Sequence, residues 1–211
     1  MYKNVIKRII DLALSFLGVI ILLPVFIIVS VLIYIDDPGP VFFKQKRIGK
    51  NKKIFWLHKF RSMKMNTPDI PTHLLDNPEQ YITRVGRVLR LLSIDELPQI
   101  YDILLGRMSI IGPRPALWNQ YDLIAERDKY GANDIKPGLT GWAQINGRDE
   151  LPIDIKAKFD GEYTEKLNAG GFTAFTMDVR CFFGTITKVL KHEGVVEGGS
   201  EKDVEKEVIH R

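Results

Sequence analysis

The sequence predicts an α+β, mainly helical protein, in which an N-terminal Pro-broken membrane helix precedes a compact cytosolic domain with a short β-hairpin and interfacial helices. Three observations carry this. Residues 12–35 run for 24 positions without a charged side chain. Two aromatic and β-branched segments then flank a Gly-Lys-Asn turn, and the remainder alternates short helical stripes with Pro- and Gly-rich loops. At 211 residues, 27% charged and 45% apolar, the chain fits one globular domain beside the apolar segment and excludes disorder and collagen. The single cysteine, Cys181, excludes an internal disulfide and a zinc site on paired cysteines, which fits a reducing compartment. The expected boundaries are 1–36 for the membrane-embedded helix, 37–192 for the cytosolic, interfacial domain and 193–211 for a mobile tail.

The apolar run is long enough for a hydrocarbon core of roughly 30 Å and too long for the apolar part of a signal peptide; no small-residue cleavage site follows it. Lys3, Lys7 and Arg8 precede it, while Lys44, Lys46, Arg47, Lys50, Lys52 and Lys53 follow Asp36 and Asp37. Basic flanks on both sides place both ends in the cytoplasm, which one straight span cannot do. Pro24, at the middle, removes a helix hydrogen bond and clashes with the preceding turn. Charge and proline together leave two geometries, a bent re-entrant helix and a kinked ordinary span.

Pro38 and Pro40 stop any helix leaving the membrane. Val41–Arg47 and Ile54–Met63 read as a β-hairpin, and the stretch from Lys44 to Arg61 holds eight Lys or Arg and no acid. Interleaved with Phe55, Trp56 and Phe60, it suits anionic headgroups or phosphate. Residues 65–81 carry three prolines and read as a loop. Leu97, Ile100, Tyr101, Leu104 and Leu105 mark a short helix ended by Gly106; a second is expected from Ala116 to Tyr130, and a third on the stripe Val179, Phe182, Phe183, Ile186, Val189, Leu190.

Chemistry concentrates in a few strings. Ser93-Ile94-Asp95-Glu96 matches a capping box, so structure alone could explain both acids. Pro98, best placed in a first helical turn, moves the helix start past them, beside a positive helix end that favours the ionised carboxylate a nucleophile or magnesium ligand requires. Arg84, Arg87 and Arg90 form a cationic ridge upstream. Gly112-Pro113-Arg114-Pro115 fixes one guanidinium between two prolines, and Lys136–Trp142 with Asn146-Gly147-Arg148 makes a second Gly-rich, cation-bearing loop suited to phosphate. His58, His73, His192 and His210 show no metal spacing.

The ordered set of a Pro-containing membrane helix, KFRSM, SIDELPQ, GPRP and KPGLTGWAQINGR resembles the monotopic phosphoglycosyl transferases, or bacterial sugar transferases, from the N-terminus to about Leu190. The resemblance implies transfer of a phosphosugar from a UDP-sugar to polyprenol (undecaprenyl) phosphate with release of UMP, the first membrane step of surface glycan assembly. It implies Asp95 as nucleophile, Glu96 as its partner, and Mg2+ held at Asp95 and Glu96. Lys59, Arg90, Arg114, Arg148, Asp160 and Asp178 fall at phosphate- or nucleotide-binding positions. It also implies a re-entrant helix broken at Pro24 on the cytoplasmic face of a bacterial inner membrane, in contact with its lipid and compatible with a homodimer, and no nucleic acid. Leu23 stands where the family carries serine before the proline, and Phe159 where many relatives carry tyrosine. The rival is a membrane-tethered protein that binds nucleic acid or an acidic partner, which leaves the acidic dyad and both loops unexplained.

Overall fold

The computed structural model describes residues 1–68, 77–147 and 151–191. A π-helical turn, Tyr2–Ile6, leads into α1, Lys7–Asp36. Pro24 does not break this helix, contrary to the sequence expectation. A proline removes one donor, here the partner of the Ile20 carbonyl, and a helix can absorb that loss by bending. Packing holds both sides of the proline: Gly18 lies so close to Ile100 that a Cβ there would come within 2.4 Å of its Cδ1, and Phe26 contacts Phe60 at 5.3 Å between ring centroids.

The less exposed face of α1 recurs at helical spacing through residues 7, 11, 15, 18, 22, 25, 29 and 33, and both ends are pinned to the rest of the chain. At the first end Lys7 Nζ meets Asp178 at 2.8 Å, and Asp11 accepts from the Ser109 hydroxyl at 2.7 Å and the Ile110 N–H at 3.0 Å. Arg8 donates to the terminal carbonyls Ile103 and Leu104. At the other end Asp36 accepts from the Val85 N–H at 2.8 Å, and Asp37 accepts from the Met65 N–H at 3.0 Å and pairs with Arg61. The opposite face carries exposed Ile, Leu, Phe and Val along its length. This is the one helix among the described residues long and apolar enough to cross a membrane, with only 11% of its most apolar window buried, unlike the core helix of a soluble protein.

The expected hairpin forms, its second strand stopping three residues short of the expected Met63: β1, Phe42–Ile48, pairs antiparallel with β2, Ile54–Phe60, around left-handed Asn51 and Lys52. Next come α2, Arg84–Leu91, capped by the Thr83 hydroxyl, and α3, Gln99–Leu104, closed by Gly106 at φ 78°. Buried Asp102 on α3 accepts from the His58 backbone N–H and meets the His58 ring, each at 2.9 Å. Because strand side chains alternate, this turns Lys59 the other way.

After α3 the chain departs further from expectation. β3, Ser109–Ile111, precedes α4, Tyr121–Asp128, and pairs in parallel with β4, Gly138–Thr140, in the stretch read as a loop. α4 starts five residues later than expected because Ala116 gives its carbonyl to Ile48 and Leu117 bridges Arg47, so the hairpin takes the backbone that a longer helix would use. The glycines of this region serve backbone packing: a Cβ on Gly138 would lie 2.1 Å from the Gly112 nitrogen, and one on Gly141 2.1 Å from the Gly112 oxygen. The described residues close with α5, Trp142–Ile145, α6, Ile153–Ala169, a helix with no apolar stripe to mark it in the sequence, and α7, Gly171–Lys191. On α7 the buried positions are Ala174, Asp178 and Cys181, while Phe182, Phe183 and Ile186 of the apolar stripe stay exposed. The expected tail lies outside the described residues.

Candidate functional site

The Ser93–Glu96 string does not form the capping box its spacing allows. Ser93 sits in the left-handed region at φ 55°, makes no side-chain cap, and opens a single tight turn, Ile94–Glu96, before Pro98 starts α3. The Glu96 side chain is thereby free to reach inward. It accepts from Lys59 Nζ at 2.9 Å and from both terminal nitrogens of Arg114, one on each oxygen, with 3.0 Å for Nη1 to Oε2. Lys59 arrives from β2, Arg114 from the loop after β3, and Arg90 from the last turn of α2. The Pro-flanked guanidinium is therefore a forked, half-buried partner of the second acid of the dyad rather than a freely solvated arginine.

Asp95 differs from its neighbour. It is half-buried and makes no hydrogen bond among the described residues, yet it lies in the field of Lys59, Arg90 and Arg114. Burial pushes its carboxyl above the usual aspartate range; Lys59 pulls it back, Glu96 adds to the rise, and Arg90 and Arg114 oppose it. Burial also acts upward on Glu96, but Arg114 and Lys59 outweigh it and hold that carboxyl well below the usual glutamate range. Burial lowers the Lys59 ammonium from the usual lysine range; Glu96 resists, and Arg114 and Arg47 add to the fall. The turn thus presents one fully engaged carboxylate and one that is unbonded among the described residues in the field of Lys59, Arg90 and Arg114, an arrangement fit for nucleophilic attack on a phosphorus flanked by negative oxygens.

A pH dependence follows. Turnover that needs ionised Asp95 is expected to fall on the acid side at a pH above the 3.8 of an ordinary aspartate. The Glu96 ion pairs do not interfere: a depressed carboxyl contributes its stability above the unfolded value of 4.5 and loses it only as pH falls through the much lower folded one. A kcat/KM profile at constant ionic strength checks this, and a flat profile down to pH 4 contradicts it.

The other expected site residues divide. Asp160, on α6, is buried against Arg127, with 2.8 Å to Nε and 2.6 Å to Nη2, and Arg127 lines the same cleft as Arg114. Burial raises its carboxyl, and Arg127 opposes. Asp178 is bound by Tyr2, Lys7 and Tyr163, none of which belongs to the Asp95 cluster. Arg148 lies outside the described residues, and Pro24 lies inside α1. No group of three or more His, Cys, Asp or Glu side chains gathers among the described residues, and both Glu96 oxygens are occupied. The donor set fits a Mg2+ that takes one protein carboxylate, Asp95, and draws its other ligands from phosphate and water, as this ion commonly does.

The sequence reading passed over a cleft beside this centre. Arg47, Arg114, Arg127 and Lys156 line it with Gln120 and Gln144. Arg47 had a weak signal, since it alternates with the solvent-facing Lys46 on β1. Arg127 had none, because a charge on a short helix is ordinarily solvated.

The family model for bacterial sugar transferases matches residues 2–192. The chain is 36% identical over 191 residues to "Uncharacterized sugar transferase EpsL" of Bacillus subtilis (strain 168), covering 90% of each. It is 37% identical over 195 residues to "Exopolysaccharide production protein PSS" of Rhizobium leguminosarum bv. phaseoli, covering 88% of this chain and 96% of that protein. It is also 36% identical over 195 residues to the "UDP-glucose:undecaprenyl-phosphate glucose-1-phosphate transferase" of Escherichia coli (strain K12), covering 88% of this chain but only 40% of that larger protein.

Proposed function

The chain belongs to the bacterial sugar transferase family, and on that premise we propose that it moves a phosphosugar from a UDP-sugar to undecaprenyl phosphate through an ester on Asp95. The observation that carries this reading is the inequality of the dyad: Glu96 is locked by Lys59 and Arg114, whereas Asp95 makes no hydrogen bond among the described residues in the same cationic field. An Asp95 oxygen attacks the sugar-proximal phosphorus, the bond to the bridging oxygen breaks, and UMP leaves with that oxygen. An oxygen of the acceptor phosphate then attacks the same phosphorus and returns the Asp95 carboxylate. Lys59, Arg90 and Arg114 offset the charge that builds during each displacement, and Glu96 positions two of them. Mg2+, held by Asp95 and the substrate oxygens, would neutralise part of the diphosphate charge. Splitting the transfer in two keeps two polyanions from occupying one site together.

The names of relatives supply the donor and acceptor classes. Three are named as undecaprenyl-phosphate phosphotransferases for N-acetylgalactosamine, glucose and galactose. The test is UMP release by full-length protein in lipid discs with Mg2+, undecaprenyl phosphate and a panel of UDP-sugars that includes these three. Release with at least one donor, dependent on the acceptor, is the expected result. No release across the panel from folded protein sinks the reading.

The same proposal places the protein on one leaflet, at the cytoplasmic face. A helix of 30 residues is about 45 Å long, enough to cross the bilayer. Its packing argues for re-entry instead: Lys7 and Asp11 at one end, and Asp36 and Asp37 at the other, bind a single domain. Exposed Val88, Leu91 and Leu92 on and after α2, and Tyr101 and Leu105 on and after α3, extend the apolar face beside α1 as interfacial helices would. Cysteines placed at exposed Asn4 and Pro38 should both react with an impermeant reagent from the cytoplasmic side only; reaction from opposite sides would establish a spanning helix.

A further inference from the structure

We infer that the polar cleft between α4, α5 and α6 seats the leaving nucleoside monophosphate, its phosphate against Arg114, Arg47 and Lys156 and its base against the amide of Gln144. This deepens the proposed function and rests on it.

Continuity with the reacting centre is the first argument. Arg114 is shared: it forks onto Glu96 and also lines the cleft, while its charge is felt at Asp95. A donor attacked at its sugar-proximal phosphorus by Asp95 must extend its second phosphate, ribose and base away from that carboxylate, and Arg114 marks where a cationic path leads. The walls agree in charge, since Arg47, Arg127 and Lys156 join Arg114 there, with Arg127 held in place by buried Asp160.

Gln144 supplies the second argument. Its amide nitrogen and oxygen are both buried and neither has a hydrogen-bond partner among the described residues, although it lines a cleft with three arginines and a lysine. A buried amide left unmatched costs free energy, and such a group is explained by a ligand that supplies the missing partners. An adjacent donor and acceptor match the imide edge of uracil, which offers one N–H beside a carbonyl oxygen. Backbone crowding around Gly141, whose Cβ would meet the Gly112 oxygen, keeps the start of α5 close to the arginine loop and so fixes the amide near Arg114.

Location decides between the two phosphates of the reaction. α1 packs on α2, α3 and β3, whereas the cleft is walled by α4, α5 and α6. A polyprenol chain must stay in lipid beside α1, so the water-soluble leaving group is the occupant of the far cleft.

The test measures binding of UMP and of inorganic phosphate to full-length protein in lipid discs, by titration calorimetry, for wild type, Gln144→Leu and Lys156→Gln. Gln144→Leu should weaken UMP about five- to tenfold, the loss of one or two neutral hydrogen bonds, and leave phosphate unchanged. Lys156→Gln should weaken both. Since the Gln144 amide has no partner among the described residues, Gln144→Leu should also melt no lower than wild type; a lower melting temperature would assign the residue a structural role and overturn the inference. Wild type that releases and binds UMP, with both variants binding it equally well, overturns the inference and leaves the proposed function standing. Wild type that neither releases nor binds UMP overturns both.

Discussion

Replacing Asp95 by asparagine is expected to reduce UMP release by at least about a thousandfold while leaving the protein folded. The side chain keeps its volume, and no hydrogen bond is lost, because the Asp95 carboxylate makes none among the described residues. What disappears is the nucleophile: an amide oxygen is far less nucleophilic than a carboxylate. The same substitution removes a charge that burial disfavours, so the melting temperature should hold or rise. Mass spectrometry of the intact protein supplies a second readout. Wild type incubated with its UDP-sugar and no acceptor should gain the mass of one phosphosugar, and Asp95→Asn should gain nothing. A variant that turns over normally, or that acquires the adduct, would move the nucleophile elsewhere.

The dyad could be located from its string, but its division of labour could not. The spacing of Ser93 and Glu96 allowed a capping box, and only the left-handed backbone at Ser93 shows that Glu96 turns inward to Lys59 and Arg114. The hairpin was legible because two segments rich in aromatic and β-branched residues flank a turn whose Asn51 accepts positive φ. α6 was not, because its buried positions include Asp160, Gly161 and Thr164 beside Ala157, Tyr163 and Leu167, a face that apolar periodicity cannot detect. α7 was legible as a helix but not in orientation. Of its sequence stripe Phe182, Phe183 and Ile186 face away from the core, Phe183 being 61% exposed, and small or polar Ala174, Asp178 and Cys181 face inward. Polar residues on buried faces are where pattern reading fails, since their burial depends on partners on other elements, Arg127 for Asp160 and the distant Lys7 for Asp178.

That dependence makes Asp178 the second large expected effect, and one of a different kind. Asp178 and Asp95 look alike in sequence, as acids of one family motif set, yet the Asp178 carboxylate accepts from the Tyr2 hydroxyl at 2.7 Å, the Lys7 ammonium at 2.8 Å and the Tyr163 hydroxyl at 2.7 Å. It ties the start of α1 to α6 and α7. Truncation in Asp178→Ala leaves a buried lysine without its counter-charge, which typically costs about 3–5 kcal/mol. For a chain of this size that corresponds to a fall in melting temperature on the order of 10 °C. Lys7→Met combined with Asp178→Ala should recover part of the loss, because the uncompensated charge is gone, while the Tyr2 hydroxyl stays without its acceptor. The two acids therefore separate in one pair of assays: Asp95→Asn loses turnover without a fall in melting temperature, whereas Asp178→Ala loses melting temperature and should keep turnover where it is still folded. An Asp178→Ala protein that melts like wild type but releases no UMP would return Asp178 to the substrate.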